Sequence, residues 1–298
     1  MSSEFAFARQ RGPFDSHMRP LWASFRRFAR HQPVGLVSAG VIACLVIVAI
    51  FAPYVAPYEP AETLRGARLL SPSPDHLFGT DERGRDTFSR VVHGSRISLQ
   101  VGFIAVGIGV GAGSVIGLLS GFWLGAVDMA LQRLMDALLA LPALVLALAL
   151  AGVAGPGVTT AMVAIGIVIV PSANRVVRGA TLAIAQSTFV EAARSIGASD
   201  LRIVVHHVAP NVVAPIIVMA SIVMGFAIVV EAALSFLGVG APVTEPSWGQ
   251  LLNTGRAFME DAPWLVLAPG IAITVVVLAF NLLGDALRDH LDPSLRGR

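Results

Sequence analysis

Five stretches of this chain run without an acidic, lysine or arginine side chain for at least the thickness of a bilayer: His31 to Tyr58, Ile97 to Val127, Ala137 to Asn174, Ile203 to Val230 and Ala262 to Gly284. A hydrocarbon core roughly 30 Å thick takes about 20 apolar residues of helix, and each stretch meets that length. A water-soluble enzyme is excluded. Charged residues make up 13% of the 298, against about 25% in soluble domains. Lysine is absent and all 21 basic residues are arginine, so a Walker A loop, which needs its Lys at the nucleotide phosphates, is impossible here. The single cysteine, Cys44, lies inside the first run and reads as a small buried hydrophobe; an intrachain disulfide or a cysteine metal cluster is excluded. The net charge of +2 comes with an arginine-rich N-terminal tail beside a membrane span, which points to lipid and not to nucleic acid.

The stretch from Ala137 to Asn174 is too long for one crossing, and Gly152, Gly155, Pro156 and Gly157 interrupt it where a turn is expected. Splitting it there gives an all-α membrane protein with six spans, near residues 34 to 53, 97 to 122, 130 to 153, 159 to 175, 209 to 236 and 266 to 285. Arg9, Arg11, Arg19, Arg26, Arg27 and Arg30 precede the first span, so the positive-inside rule places both termini in the cytoplasm. On that topology the cytoplasmic segments hold 14 arginines and the outer segments seven. A cleavable signal peptide fits poorly, because the first apolar run is too long for one. The chain divides into a basic tail (1–33), a first span with an external loop (34–96), a five-helix core (97–285) with a cytoplasmic loop at 186–208, and a tail (286–298).

Within that loop, Phe189 to Gly197 reads as a helix stopped by glycine. A second helix restarts after Ser199, its expected cap, and Pro210 opens the next span. At these residues a resemblance emerges. Glu191-Ala192-Ala193, Gly197 and, thirteen residues on, Pro210 resemble the EAA loop of importer-type ABC transporter permeases. The run from Val190 to Ile203, followed by His207 and Pro210-Asn211, is similar to the C-type permease of peptide and nickel importers. So are the external motif from His76 to Arg90, Pro246-Ser247-Trp248-Gly249, Ala262-Pro263-Trp264 and the run from Phe280 to Pro293. His206, Val208 and Ala209 depart from the usual pattern.

The resemblance implies a type I ABC importer permease fold with an EAA-type coupling loop in the bacterial cytoplasmic (inner) membrane. It implies a non-catalytic subunit working with a homologous B-type permease, two ABC ATPase subunits that hold ATP and magnesium, and an extracytoplasmic solute-binding protein. No cofactor is expected in this chain. Glu191, Ala192, Ala193, Arg194 and Gly197 would meet the ATPase: small residues permit close approach, the carboxylate accepts from donors, and glycine allows the turn. Ser199, Asp200, His207 and Pro210 would support the loop. Peptide is the expected solute, with nickel complexes, glutathione or oligosaccharides as alternatives.

Other candidates read less sharply. Gly107-x-Gly109-x-x-Ala112 matches a dinucleotide fingerprint only formally, since it lies inside a membrane run; Gly113, Gly117 and Gly121 instead recur at the spacing that lets helices approach in lipid. His206 and His207 point about 100° apart on a helix, with no third ligand at metal spacing, so no metal site is expected. Asp81, Arg83, Arg85 and Asp86 read either as a salt-bridged loop fastening the second span or, with Trp248, as a contact for the binding protein. Glu231 could face the pathway, snorkel or bond a neighbouring helix. A stand-alone secondary transporter is the second reading, disfavoured by the scarcity of intramembrane carboxylates and of any inverted repeat.

Overall fold

The computed structural model describes residues 29, 32–242 and 245–291. The expected basic tail, apart from its last residues, and the final seven residues lie outside them. Among the described residues the regular elements are helices, and the nearest approach to a sheet is one bridge between Thr80 and Asp86. In chain order they are α1 (Pro33–Ile50), α2 (Ala52–Val55), α3 (Thr87–Phe122), α4 (Ala126–Leu139), α5 (Ala143–Ala154) and α6 (Val158–Ala185). Then come α7 (Thr188–Ser195), α8 (Asp200–Ile203), a π turn (Val204–Val208), α9 (Ala209–Phe236), α10 (Trp248–Gly255) and α11 (Trp264–Leu291). Among the described residues five helices are long and apolar enough to cross a membrane, and six spans result if α4 and α5 together make one.

Three spans depart from the sequence reading. The third is two helices bent by 93°, because Pro142 has no N–H to continue the ladder and biases Leu141 away from helical geometry. The second starts at Thr87, not near 97: Asp86 caps it by accepting from the Ser89 N–H at 2.8 Å, so the polar turns from Thr87 to Arg96 are helix and not loop. The fourth runs on to Ala185, ten residues beyond its apolar stretch. Cys44 is exposed, on the apolar outer side of α1, and is not a core residue.

The core is built on α3, which packs most extensively on α6 and also meets α9, while α11 joins α9 to α1. Glycine makes the α3–α6 contact possible. A Cβ on Gly109 would lie 2.5 Å from Ile169 Cβ, on Gly113 2.6 Å from Ala173 Cβ, on Gly117 2.8 Å from the Asn174 carbonyl oxygen, and on Gly121 2.8 Å from Thr181 Cβ. Lipid offers no hydrophobic drive for helix association, so close backbone packing of this kind supplies the attraction. The sequence reading of a packing stripe holds, with α6 as the partner and Gly109 as a further member.

Both ends of the bundle can be told apart from its contacts. The start of α3 carries the polar loop at 79–90 and meets α10, whereas its end, at Phe122, lies against α7 and the π turn. Asp128 of α4 pairs with Arg178 near the second end of α6, and Gly157, just past α5, donates to the Val239 carbonyl at 3.3 Å beyond the far end of α9. The bent α4–α5 pair therefore runs from one face of the bundle to the other. Replacing Gly117 with Leu should cost about 1–3 kcal/mol or more by overpacking, read as a lower melting temperature in detergent. Gly107→Leu, whose Cβ would meet nothing within 4 Å, should melt as the parent does.

Candidate functional site

The loop between α6 and α9 is a helical elbow with one face buried and one bare. Val190, Ala193, Ile203, Val204 and Val208 turn inward onto Phe122 and Leu118 of α3 and onto Ile184 and Ala185. A Schellman turn ends α7: Gly197, at φ +81°, donates to Arg194 O at 2.9 Å and Ala198 to Ala193 O at 3.1 Å. A Cβ at Gly197 would meet nothing within 4 Å, so glycine is demanded there by backbone conformation alone. Pro210 stands in the first turn of α9 and cannot donate to the His206 carbonyl; the preceding π turn absorbs that missing bond.

Glu191, Ala192 and Ser195 are exposed, and around them so are Phe189, Ile196 (86% accessible) and Leu201 (68%). Ala193 does not share that face. It is buried against the bundle, so close approach by another protein rests on Ala192 alone. Arg194 lies 5.3 Å from the centre of the Phe122 ring and covers the elbow's own core. Ser199 occupies the cap position of α8, yet only its backbone oxygen is used, accepting from Ile203 N–H at 3.0 Å. Asp200 sits in the first turn of α8. The His207 ring is 6.4 Å from that of Phe189, and its carbonyl accepts from Asn211 Nδ2 at 2.7 Å. His206 Nδ1 lies 3.2 Å from Arg202 O.

At the opposite face the charged residues form a buried clamp. Asp81 accepts through Oδ1 from the Arg83 and Arg85 N–H groups at 2.8 and 2.9 Å, and through Oδ2 from Arg85 Nε at 2.6 Å and from Arg90 Nη1. Arg90 continues to Gln250 Oε1 on α10 at 3.3 Å. Asp86 holds His76 Nδ1 at 3.0 Å and both donors of Ser89. Trp248 plugs α10 into α3, donating from Nε1 to Val91 O at 3.0 Å and from its backbone N–H to Ser98 Oγ at 3.2 Å. Asp81, Arg85, Asp86 and Trp248 are all buried and present no surface to a binding protein. Of the five residues proposed for that contact, Arg83 alone is exposed, its side chain 60% accessible.

Glu231 is enclosed as well, 1% accessible, accepting from Ser98 Oγ at 2.9 Å and Ser235 Oγ at 2.8 Å. Of its three readings the bond to a neighbouring helix is the one observed. A further polar group went unread in the sequence. Asp128 accepts two bonds from Arg178, at 2.8 and 2.7 Å, and Gln132 links Asn174, at 3.1 Å, to Ser120, at 3.2 Å. Its signal was the i, i+4 spacing of Asp128 and Gln132 opposite that of Asn174 and Arg178.

Comparison with known proteins decides the family. A profile described as "binding-protein-dependent transport system inner membrane component" matches residues 113–297, and one for the N-terminal transmembrane domain of oligopeptide transport permease C matches residues 20–72. The chain belongs to the binding-protein-dependent transport permeases. It is 42% identical over 275 residues to the dipeptide transport system permease protein DppC of Alkalihalophilus pseudofirmus, covering 92% of this chain and 90% of that one. The glutathione transport system permease protein GsiD of Escherichia coli is 44% identical over 281 residues, covering 94% and 93%. A chain of the MetNI methionine ABC transporter shares the fold, with a TM-score of 0.58 and 19% identity over 68% of this chain and 97% of its own length. The permease is thus an all-α, multi-pass membrane protein with the ABC importer permease fold.

Removing one member of a buried charge cluster leaves the others uncompensated. Asp81→Ala should therefore lower the permease's stability by about 3–5 kcal/mol, read by thermal melting, while Arg83→Ala, on the surface, should change it by less than about 0.5 kcal/mol.

Proposed function

We propose that this permease forms half of the translocation pathway of an ATP-driven peptide importer in the cytoplasmic membrane of a bacterium. It would pair with a second, homologous permease, two ABC ATPase subunits and an extracytoplasmic solute-binding protein. ATP and magnesium would be held by the ATPases, and this chain would carry out no catalysis. The relatives named for dipeptide and glutathione transport support a peptide solute. Glutathione, itself a small peptide, is the alternative that the same resemblance favours.

The observation that carries this reading is the bare face of the elbow. Phe189, Ile196 and Leu201 flank Glu191 on a loop whose inner face is fully packed, and an apolar rim around a carboxylate on the water side of a membrane protein is the chemistry of a protein contact. Glu191 would accept from donors on the ATPase, with Ala192 letting its surface come close. Gly197 holds the turn that presents them. Because α8 and the π turn lead into α9 without a break, a push on the elbow is a push on a spanning helix.

The arginine-rich tail supports a cytoplasmic N-terminus. Four crossings, with the bent pair as one, then bring the elbow to the same side. The secondary-transporter reading needs a carboxylate open to a pathway, and Glu231 is enclosed by hydroxyls instead.

Two measurements test the reading. Glu191→Lys should cut co-purification of the ATPases by about tenfold or more without changing membrane insertion; unchanged association would remove Glu191 from the contact. A cysteine at Ser195, in a Cys44→Ser background, should resist an impermeant thiol reagent in intact cells and react in inverted vesicles. Labelling in intact cells would overturn the assignment.

A further inference from the structure

Helix α4 turns two of its polar positions inward. Asp128 and Gln132 face the bundle together with the buried Met135, whereas Val127 (71% accessible), Met129 (62%), Leu134 (55%) and the charged Arg133 are exposed. Every inward polar group lands on one short segment of α6, residues 174 to 178, and Gln132 also reaches Ser120 of α3. The segment is already gripped from another side: Gly113, Gly117 and Gly121 of α3 bring backbone against Asn174, Arg178 and Thr181. It lies about two turns before the end of α6 at Ala185, where the elbow begins, and the elbow's core rests on Leu118 and Phe122 of α3 and on Ile184 and Ala185 of α6.

The rungs differ in worth. Asp136 and Arg175 meet at 3.0 Å but are 60% and 65% accessible, which makes their pair weak. The Asp128–Arg178 fork is two parallel charge-assisted bonds, with the Asp128 side chain 11% and that of Arg178 27% accessible, a geometry that resists both sliding and rotation. Asn174 is fully buried and Ser120 nearly so, so a slip of α4 along α6 would strand their polar groups away from water. Sliding is thus opposed at two successive turns of α4.

We propose that Asp128 and Arg178 are positioning residues for energy coupling: their fork, with the Gln132 rung, fixes α4 to the elbow end of α6 so that the elbow, α6 and α4 move as one body. Displacement of the elbow then swings the outward face of α4 and reaches the 93° bend at Pro142 undiminished, where a sliding α4 would dissipate it. This inference rests on the proposed importer function, and it adds the residues that carry the stroke from the elbow into a second helix.

The test uses the complete assembly in lipid vesicles, with ATP hydrolysis measured without and with the binding protein. Asp128→Asn should retain its ATPases on purification but lose at least fivefold of the stimulation by the binding protein, and the exchanged pair Asp128→Arg with Arg178→Asp should recover it. Gln132→Cys with Asn174→Cys, in a Cys44→Ser chain, can be joined by a short bifunctional thiol reagent. Joining should leave stimulation at half or more of the unjoined level, and in an Asp128→Asn chain it should restore what the substitution removed. Loss of stimulation on joining shows that the helices must slide and overturns the proposal. So does normal stimulation in Asp128→Asn, or failure of the bridge to rescue it. Absence of ATPases from the parent assembly would instead sink the importer reading itself.

Discussion

The backbones of α3 and α6 touch. Between residues 109 and 121 the face of α3 toward α6 carries glycine at 109, 113, 117 and 121, and a methyl group at any of these four would enter the neighbouring helix. In lipid this closeness substitutes for the hydrophobic drive that packs soluble cores, because attraction falls off steeply with the gap between surfaces. The rest of the bundle hangs from that pair. The elbow's apolar core sits where α3 ends and α6 continues, α9 and α10 pack on the first half of α3, and α4 ties to α6 over the stretch that the glycines hold.

Charge is handled by enclosure. A buried polar group in a membrane protein must find partners within the chain, and here Asp81 finds Arg85 and Arg90, Asp86 finds His76 and Ser89, and Glu231 finds Ser98 and Ser235. Ser98 shows the economy of the arrangement, since one hydroxyl donates to Glu231 of α9 and accepts from the Trp248 backbone of α10. The loops at that end are thereby fastened to the spans, and the bare surface is left to the elbow at the other end.

Misreadings cluster where a residue type admits two environments. Asp81, Arg85 and Asp86 read in sequence either as a salt-bridged loop or as a docking patch, and the salt-bridged loop is what forms, because their spacing lets one carboxylate collect four donors, which draws the group inside. Trp248 misleads in the same way: its indole donor finds Val91 O and so it can be buried whole. The break at Pro142 is written in proline chemistry, but the apolar run continues through it and masks it. Ala193 could not have been separated from Ala192 by type, only by the direction in which α7 lies on the bundle.

Sequence alone determined the class of the protein, its runs of membrane length and the elbow, because hydrocarbon thickness sets a length that polar residues cannot violate and because Gly197 and Pro210 act on their own backbone. It also announced the glycine stripe, since spacing along one helix is a local property. Tertiary structure decided the partner of that stripe, which charges are enclosed, which side of the elbow is bare, and that α4 turns Asp128 and Gln132 inward. Those outcomes depend on contacts between residues as far apart as Arg90 and Gln250 or Ser98 and Glu231, and the orientation of a helix about its axis is fixed only when its neighbours are in place.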